Sequence, residues 1–185
     1  MNKKVKNARQ MLLKEGEVVL INKGYANLNI SELTNSCGMA TGTFYGYFKN
    51  KKDLAVTILK NAWEAALESA EKSAFENDSA HDRLKAIYDC VDRFNNTYNM
   101  IFMQIATDFQ ASEYVSIRQS GLAMLYGVIK KILEDEVERG SEIHVDLEKL
   151  SIIIGMNLFM ISREERISFD NFFDSIGVWA KACDE

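Results

Sequence analysis

Proline is absent from all 185 residues, so the chain lacks the residue that most often breaks helices and stiffens loops. Alternating apolar and polar runs are almost missing too, while apolar residues recur at spacings of three and four, which reads as an all-α chain. Histidine is scarce: His81 and His144 cannot anchor a convincing metal cluster. Three widely spaced cysteines, Cys37, Cys90 and Cys183, fit reduced thiols better than a disulfide framework, and a cytoplasmic setting is expected. There is no paired histidine and carboxylate, no nucleophile motif and no glycine-rich phosphate loop, so neither enzymatic activity nor a cofactor is expected. The most apolar stretch, 150–161, contains Ser151 and Asn157 and falls short of the roughly 20 residues a membrane span needs. Lys14, Glu15 and Glu17 interrupt what would be the apolar heart of a signal peptide, so no membrane partner or export is expected.

Charge is unevenly placed. Residues 1–53 hold nine basic side chains against Glu15, Glu17, Glu32 and Asp53, a net of +5, which leaves −10 of the total −5 to the rest. A basic head on an acidic body suits a protein of which one end meets a polyanion.

Leu12, Gly16, Val19 and Leu20 share one face of a first helix that Gly24 can end in the left-handed conformation. Asn29 reads as the N-cap of a second, short helix reaching about Cys37, with Glu32 placed to complete a capping box. Gly38 makes the turn, and a third helix of about 41–48 carries an aromatic cluster. A long fourth helix opens at Lys51 with Leu54, Ile58, Leu59, Ala62 and Ala66 inward. Helices near 81–98, 100–110 and 113–139 follow, the last stopping at Gly140, and two more complete a total of about nine.

Two short helices joined by a glycine turn are the geometry of a helix-turn-helix, whose second helix enters the major groove of DNA. Ile30, Leu33, Met39, Phe44 and Phe48 would form its small core, leaving Thr41, Thr43, Tyr45 and Tyr47 outward beside Lys49, Lys51 and Lys52. Hydroxyl and ammonium donors clustered in this way suit phosphate oxygens.

The run from Gly38 to Leu54, GMATGTFYGYFKNKKDL, resembles the signature of the TetR (tetracycline-repressor-like) family, and Lys23-Gly24-Tyr25 resembles its lead-in. The resemblance implies a DNA-binding domain at 1–50 and a ligand-sensing and dimerisation domain at 51–185. It implies a homodimeric repressor on double-stranded, palindromic operator DNA, released by a small-molecule effector. By position it implies that Thr43, Tyr45, Tyr47 and Lys51 contact phosphates, with Lys49 beside them, and that Thr41 and Ser31 reach bases. The fourth helix, running from Lys51 to Trp63 and Phe75, is the implied lever between effector and DNA. Several positions depart from the pattern: Asn29 replaces Thr, Thr34 stands where Ala is usual, and Ala40 replaces a capping Ser, weakening that cap by about 1 kcal/mol. Gly46 offers no side chain to the groove. With no Arg, Asn or Gln on the recognition helix, bidentate base contacts are missing, and specificity is expected from methyl groups, Tyr45 and DNA shape.

The C-terminal part has no motif. Trp63, Tyr88, Tyr98, Phe102, Met103 and Tyr126 supply aromatic and soft side chains for an effector site, although each fits an ordinary helical core as well. Leu150, Ile154, Leu158 and Ile161 form one apolar stripe, and Phe172, Phe173, Ile176 and Trp179 belong to another. Packing within one chain and a four-helix bundle between two copies both satisfy them. Cys37 and Cys90 admit a redox reading or a structural one. An adaptor or small-molecule-binding dimer without DNA binding is the competing function.

Overall fold

The structure is a computed structural model that describes residues 7–164 and 166–181, with backbone alone at 111 and 178–181. Eight α-helices and one 3₁₀ turn account for the regular structure among the described residues, with no strand. The chain divides into two compact units: Met1–Ala62 with Thr97–Tyr114, and Trp63–Asn96 with Val115–Glu185.

In the first unit, α1 (Ala8–Lys23) buries Ala8, Leu12, Gly16 and Leu20, a strict spacing of four. Gly24 stops it at φ 77°, its N–H donating to the Leu20 carbonyl at 3.0 Å. The 3₁₀ turn Tyr25–Asn27 leads to α2 (Ile30–Ser36), where the Asn29 side chain accepts from Ser31 N at 2.8 Å and Glu32 N at 3.3 Å. Gly38, at φ 66°, turns the chain into α3 (Thr41–Phe44). The third helix is therefore shorter than the predicted 41–48. At Gly46 and Tyr47 the backbone closes tighter bonds, Gly46 N to Thr43 O at 3.2 Å and Tyr47 N to Phe44 O at 2.9 Å, before Phe48 N returns to Phe44 O at 3.0 Å.

Helix α4 (Lys51–Phe75) begins in a reciprocal cap: Asp53 N donates to Asn50 Oδ1 and Lys49 N donates to Asp53 Oδ2, both at 2.9 Å. Helix α5 (Ala80–Ala106) runs without the predicted break near residue 99, because no glycine or proline interrupts it and Ile101 and Ile105 extend its buried spacing. Helix α6 (Ala111–Glu138) ends before Gly140 at φ 98°.

The second unit is completed by α7 (Leu147–Ile161), capped by Asp146 on Lys149 N at 2.8 Å, and α8 (Phe169–Lys181). Its core includes Leu67, Leu84, Ile87, Val91, Leu125, Ile129 and Ile132. Ile154, Leu158 and Ile161 lie in this core and Leu150 packs partly against it, so that stripe serves the chain's own interior. The exposed apolar face of α7 is a different one: Ile153, Met156 and Met160, at 49%, 52% and 66% exposure. Phe172, Phe173 and Ile176 are half-buried against the core, and the Trp179 side chain lies outside the described residues.

Candidate nucleic-acid interface

The helix-turn-helix core forms as its apolar pattern requires. Leu33, Met39, Phe44 and Phe48 are buried, Ile30 packs against them, and the Phe44 and Phe48 rings lie 5.6 Å apart. Packing Phe44 inward turns its neighbour outward: Tyr45 is 59% exposed, its ring edge-on to Phe44 at 5.4 Å. Ser31 and Lys49 are exposed, while Thr41, Thr43 and Lys51 are half-buried. Tyr47 is also half-buried and packs on the core, so it presents less surface than Tyr45.

Thr34 explains itself once α3 is placed. It is fully buried, its hydroxyl 2.9 Å from the Ile30 carbonyl and 3.0 Å from that of Ser31. With its only proton committed to a carbonyl, it accepts from Thr41 Oγ1 at 3.3 Å. The Thr41 hydroxyl proton is thereby directed to Thr34.

The lysines are not equivalent. Lys51 Nζ lies 4.5 Å from the centroid of the Tyr25 ring and 3.5 Å from the Tyr25 carbonyl. Lys52 is turned to the acidic segment, pairing with Glu113 at 2.8 Å and lying 3.3 Å from the Asp108 carbonyl. Arg9, one of the nine basic side chains of residues 1–53, stands over the Phe48 ring at 5.5 Å. Tyr25 stands in the sequence only as part of the Lys23-Gly24-Tyr25 lead-in, with no contact expected of it. It is buried and donates to Asp108 Oδ2 at 2.6 Å, and burial first, then this bond, pushes its phenol well above the usual range.

The residues named for an effector divide between the units. Trp63, Tyr88 and Tyr126 belong to the second, where Trp63 donates from Nε1 to the Gly121 carbonyl at 2.9 Å and meets Phe94 at 4.7 Å. Tyr98, Phe102 and Met103 belong to the first, with Tyr98 donating to Glu17 at 2.6 Å and Met103 exposed. Cys37 and Cys90 are both buried, and burial raises their thiols, Cys90 to about 11, which favours the structural reading of each. Among the described residues no group of histidine, cysteine and carboxylate side chains is placed to hold a metal, and no helix is long and apolar enough to cross a membrane.

The N-terminal unit of this all-helical chain thus holds a capped helix-turn-helix. Residues 12–58 match the family described as bacterial regulatory proteins, tetR family. It is 30% identical over 69 residues to the fatty acid metabolism regulator protein of Bacillus subtilis, covering 37% of this chain and 36% of that protein. It is 32% identical over 66 residues to the HTH-type transcriptional repressor NemR of Escherichia coli, covering 35% and 33%. The matched segment thus spans about a third of these curated relatives, which are named as regulators rather than enzymes. The fold reaches further. A transcriptional regulator FadR from Bacillus subtilis, solved in complex with stearoyl-CoA, superposes with a TM-score of 0.64 at 18% identity, covering 91% of this chain and 95% of that one.

Proposed function

We propose that the chain is a ligand-responsive transcriptional repressor that binds a palindromic operator as a homodimer and is released by a small molecule. The observation that carries this reading is the outward face around α3, where Ser31, Thr41, Thr43, Tyr45, Tyr47, Lys49 and Lys51 gather hydroxyl and ammonium groups on a helix-turn-helix. We assign DNA recognition to residues 1–50 and effector sensing and dimerisation to 51–185. With Gly46 bare and the Thr41 proton committed inward, base discrimination falls to the Thr41 methyl group, Ser31, Tyr45 and the shape of the duplex.

Dimerisation is assigned to α7 and α8 through Ile153, Met156 and Met160, whose spacing of three and four makes an apolar row of the kind that self-association covers. Phe172, Phe173 and Ile176 of α8 border it in this assignment, with recognition helices about 34–36 Å apart for successive major grooves. The effector is assigned to the second unit, with Trp63, Tyr88 and Tyr126 as its first candidates. Release requires about 1–3 kcal/mol of coupling between effector and operator.

Selection of bound fragments from a random duplex library tests the reading. A palindromic consensus, bound by two chains and abolished by Tyr45→Ala with Lys51→Ala, is the expected result. A protein that recovers no fragment above background contradicts it. A thermal-shift screen for the effector begins with long-chain acyl-CoA thioesters, the ligand class carried by the Bacillus subtilis structure.

A further inference from the structure

The corner between α5 and α6 holds an unusual set of contacts, all of them inside the first unit. Gln104, near the end of α5, accepts from the Tyr25 backbone N–H at 2.8 Å. It comes so close that a Cβ on Gly24 would lie 3.0 Å from its Oε1, and Gly24 also needs its positive φ. Four residues on, Asp108 Oδ2 accepts from the Tyr25 hydroxyl at 2.6 Å. The ring held at both ends by these bonds is the one on which the Lys51 ammonium rests, 4.5 Å from its centroid, with the Tyr25 carbonyl 3.5 Å away. One buried side chain therefore joins an acidic corner to Lys51, the lysine that opens α4.

We propose that Asp108 and Gln104 are positioning residues for DNA binding, acting through Tyr25 to hold the Lys51 ammonium ready for a phosphate. This rests on the DNA-binding reading given above. A lysine side chain free in water loses rotamer entropy when a phosphate fixes it. Seating Lys51 on the ring beforehand removes part of that cost from the binding step. Donating its proton to a carboxylate leaves the phenol ring richer in electrons, so the Asp108 charge strengthens the seat from the far side. The neighbouring lysine marks the contrast: Lys52 is held by Glu113 at 2.8 Å, and its charge is already answered within the protein.

The proposal makes a prediction opposite in sign to simple electrostatics. Removing a carboxylate from a DNA-binding unit ordinarily tightens binding, because one repulsion with the phosphates disappears. Here Asp108→Asn, on an exposed side chain, is expected to weaken it.

The test measures binding of the full-length protein to its selected duplex by fluorescence anisotropy across a salt series, for wild type, Asp108→Asn, Lys51→Ala and the double variant. If wild type shows no salt-dependent binding, the DNA reading itself fails, and the positioning role fails with it. With wild type binding, Asp108→Asn is expected to lose about five- to tenfold in affinity and to lower the slope of log K against log salt, since Lys51 contributes about 0.9 per subunit when it meets a phosphate. In the Lys51→Ala background the same substitution is expected to cost nothing, and Gln104→Ala serves as a second variant with the same pattern. Binding by Asp108→Asn that is unchanged or tighter overturns the proposal. So does an equal loss with and without Lys51.

Discussion

The two units of this chain bury polar groups for different purposes. In the first, Tyr25 and Thr34 are buried polar residues whose partners lie on or beside the proposed DNA face: Tyr25 carries Lys51, and Thr34 holds Thr41. In the second, the buried polar groups tie helices to one another. Arg83 is fully buried, pairs with Asp135 and, at 3.0 Å, with Glu136, and donates to the Asn77 carbonyl at 2.8 Å. Asn95 donates to Ser162 at 2.5 Å. Polar burial thus aims surface groups in one unit and closes a helical bundle in the other.

The largest effect expected from this contrast is at Arg83. Arg83→Met leaves Asp135 and Glu136 without their buried cation and should cost about 3 kcal/mol in urea unfolding, since breaking a buried pair from one side is costlier than replacing all of it. A loss under about 1 kcal/mol would erase the distinction drawn between the units.

Next come the two glycines that let helices approach. A Cβ on Gly155 would lie 2.6 Å and 2.7 Å from the Tyr126 ring, a rigid neighbour. Gly155→Ala should therefore cost about 2 kcal/mol. On Gly16 the nearest atom is the Ile58 Cδ1 end at 2.9 Å, which can swing aside. There the gain of about 1 kcal/mol from replacing a helical glycine should offset most of the crowding. Thermal unfolding of the two variants side by side gives the comparison.

A smaller change is expected from Thr34→Val, which keeps the shape but deprives Thr41 of its acceptor. Stability should fall by about 1 kcal/mol. The preferred base opposite Thr41 should shift in a repeated selection, because the freed hydroxyl proton becomes available to DNA.

The smallest effect concerns pH. His81 bonds Asp82 at 3.1 Å and Asp170 at 3.0 Å, and these carboxylates raise its imidazole. Because the folded state holds this proton more tightly than the unfolded chain, the stabilisation is complete below about pH 6.5 and drains away as pH rises through the raised value. The cluster is partly exposed, so solvent screens it. The melting temperature should fall slightly from pH 6 to pH 8 in wild type, and His81→Gln should flatten that slope.

Much of the first unit was legible because its residues carry backbone demands as well as burial. Gly24 and Gly38 both sit at positive φ, Asn29 caps α2, and aromatic spacing forces Phe44 in and Tyr45 out. Those rules act over a few residues, so a sequence can display them. The second unit is held by apolar contacts between distant helices, which periodicity describes only as faces. It assigned Ile154, Leu158 and Ile161 to a face correctly but had no means of deciding that the face turns inward, leaving Ile153, Met156 and Met160 outside. The continuity of α5 past residue 99 was missed for a similar reason: polar residues 95–99 look like a break until Ile101 and Ile105 are seen to resume the buried row. The Tyr25–Asp108 bond links residues 83 apart and has no local signal at all.

The central claim is that the face around α3 grips phosphates, and the dependence of duplex affinity on salt tests it most directly. With about three phosphates neutralised per subunit, affinity for the selected duplex should fall roughly a thousandfold between 50 and 200 mM salt. Affinity that barely changes over that range contradicts the account.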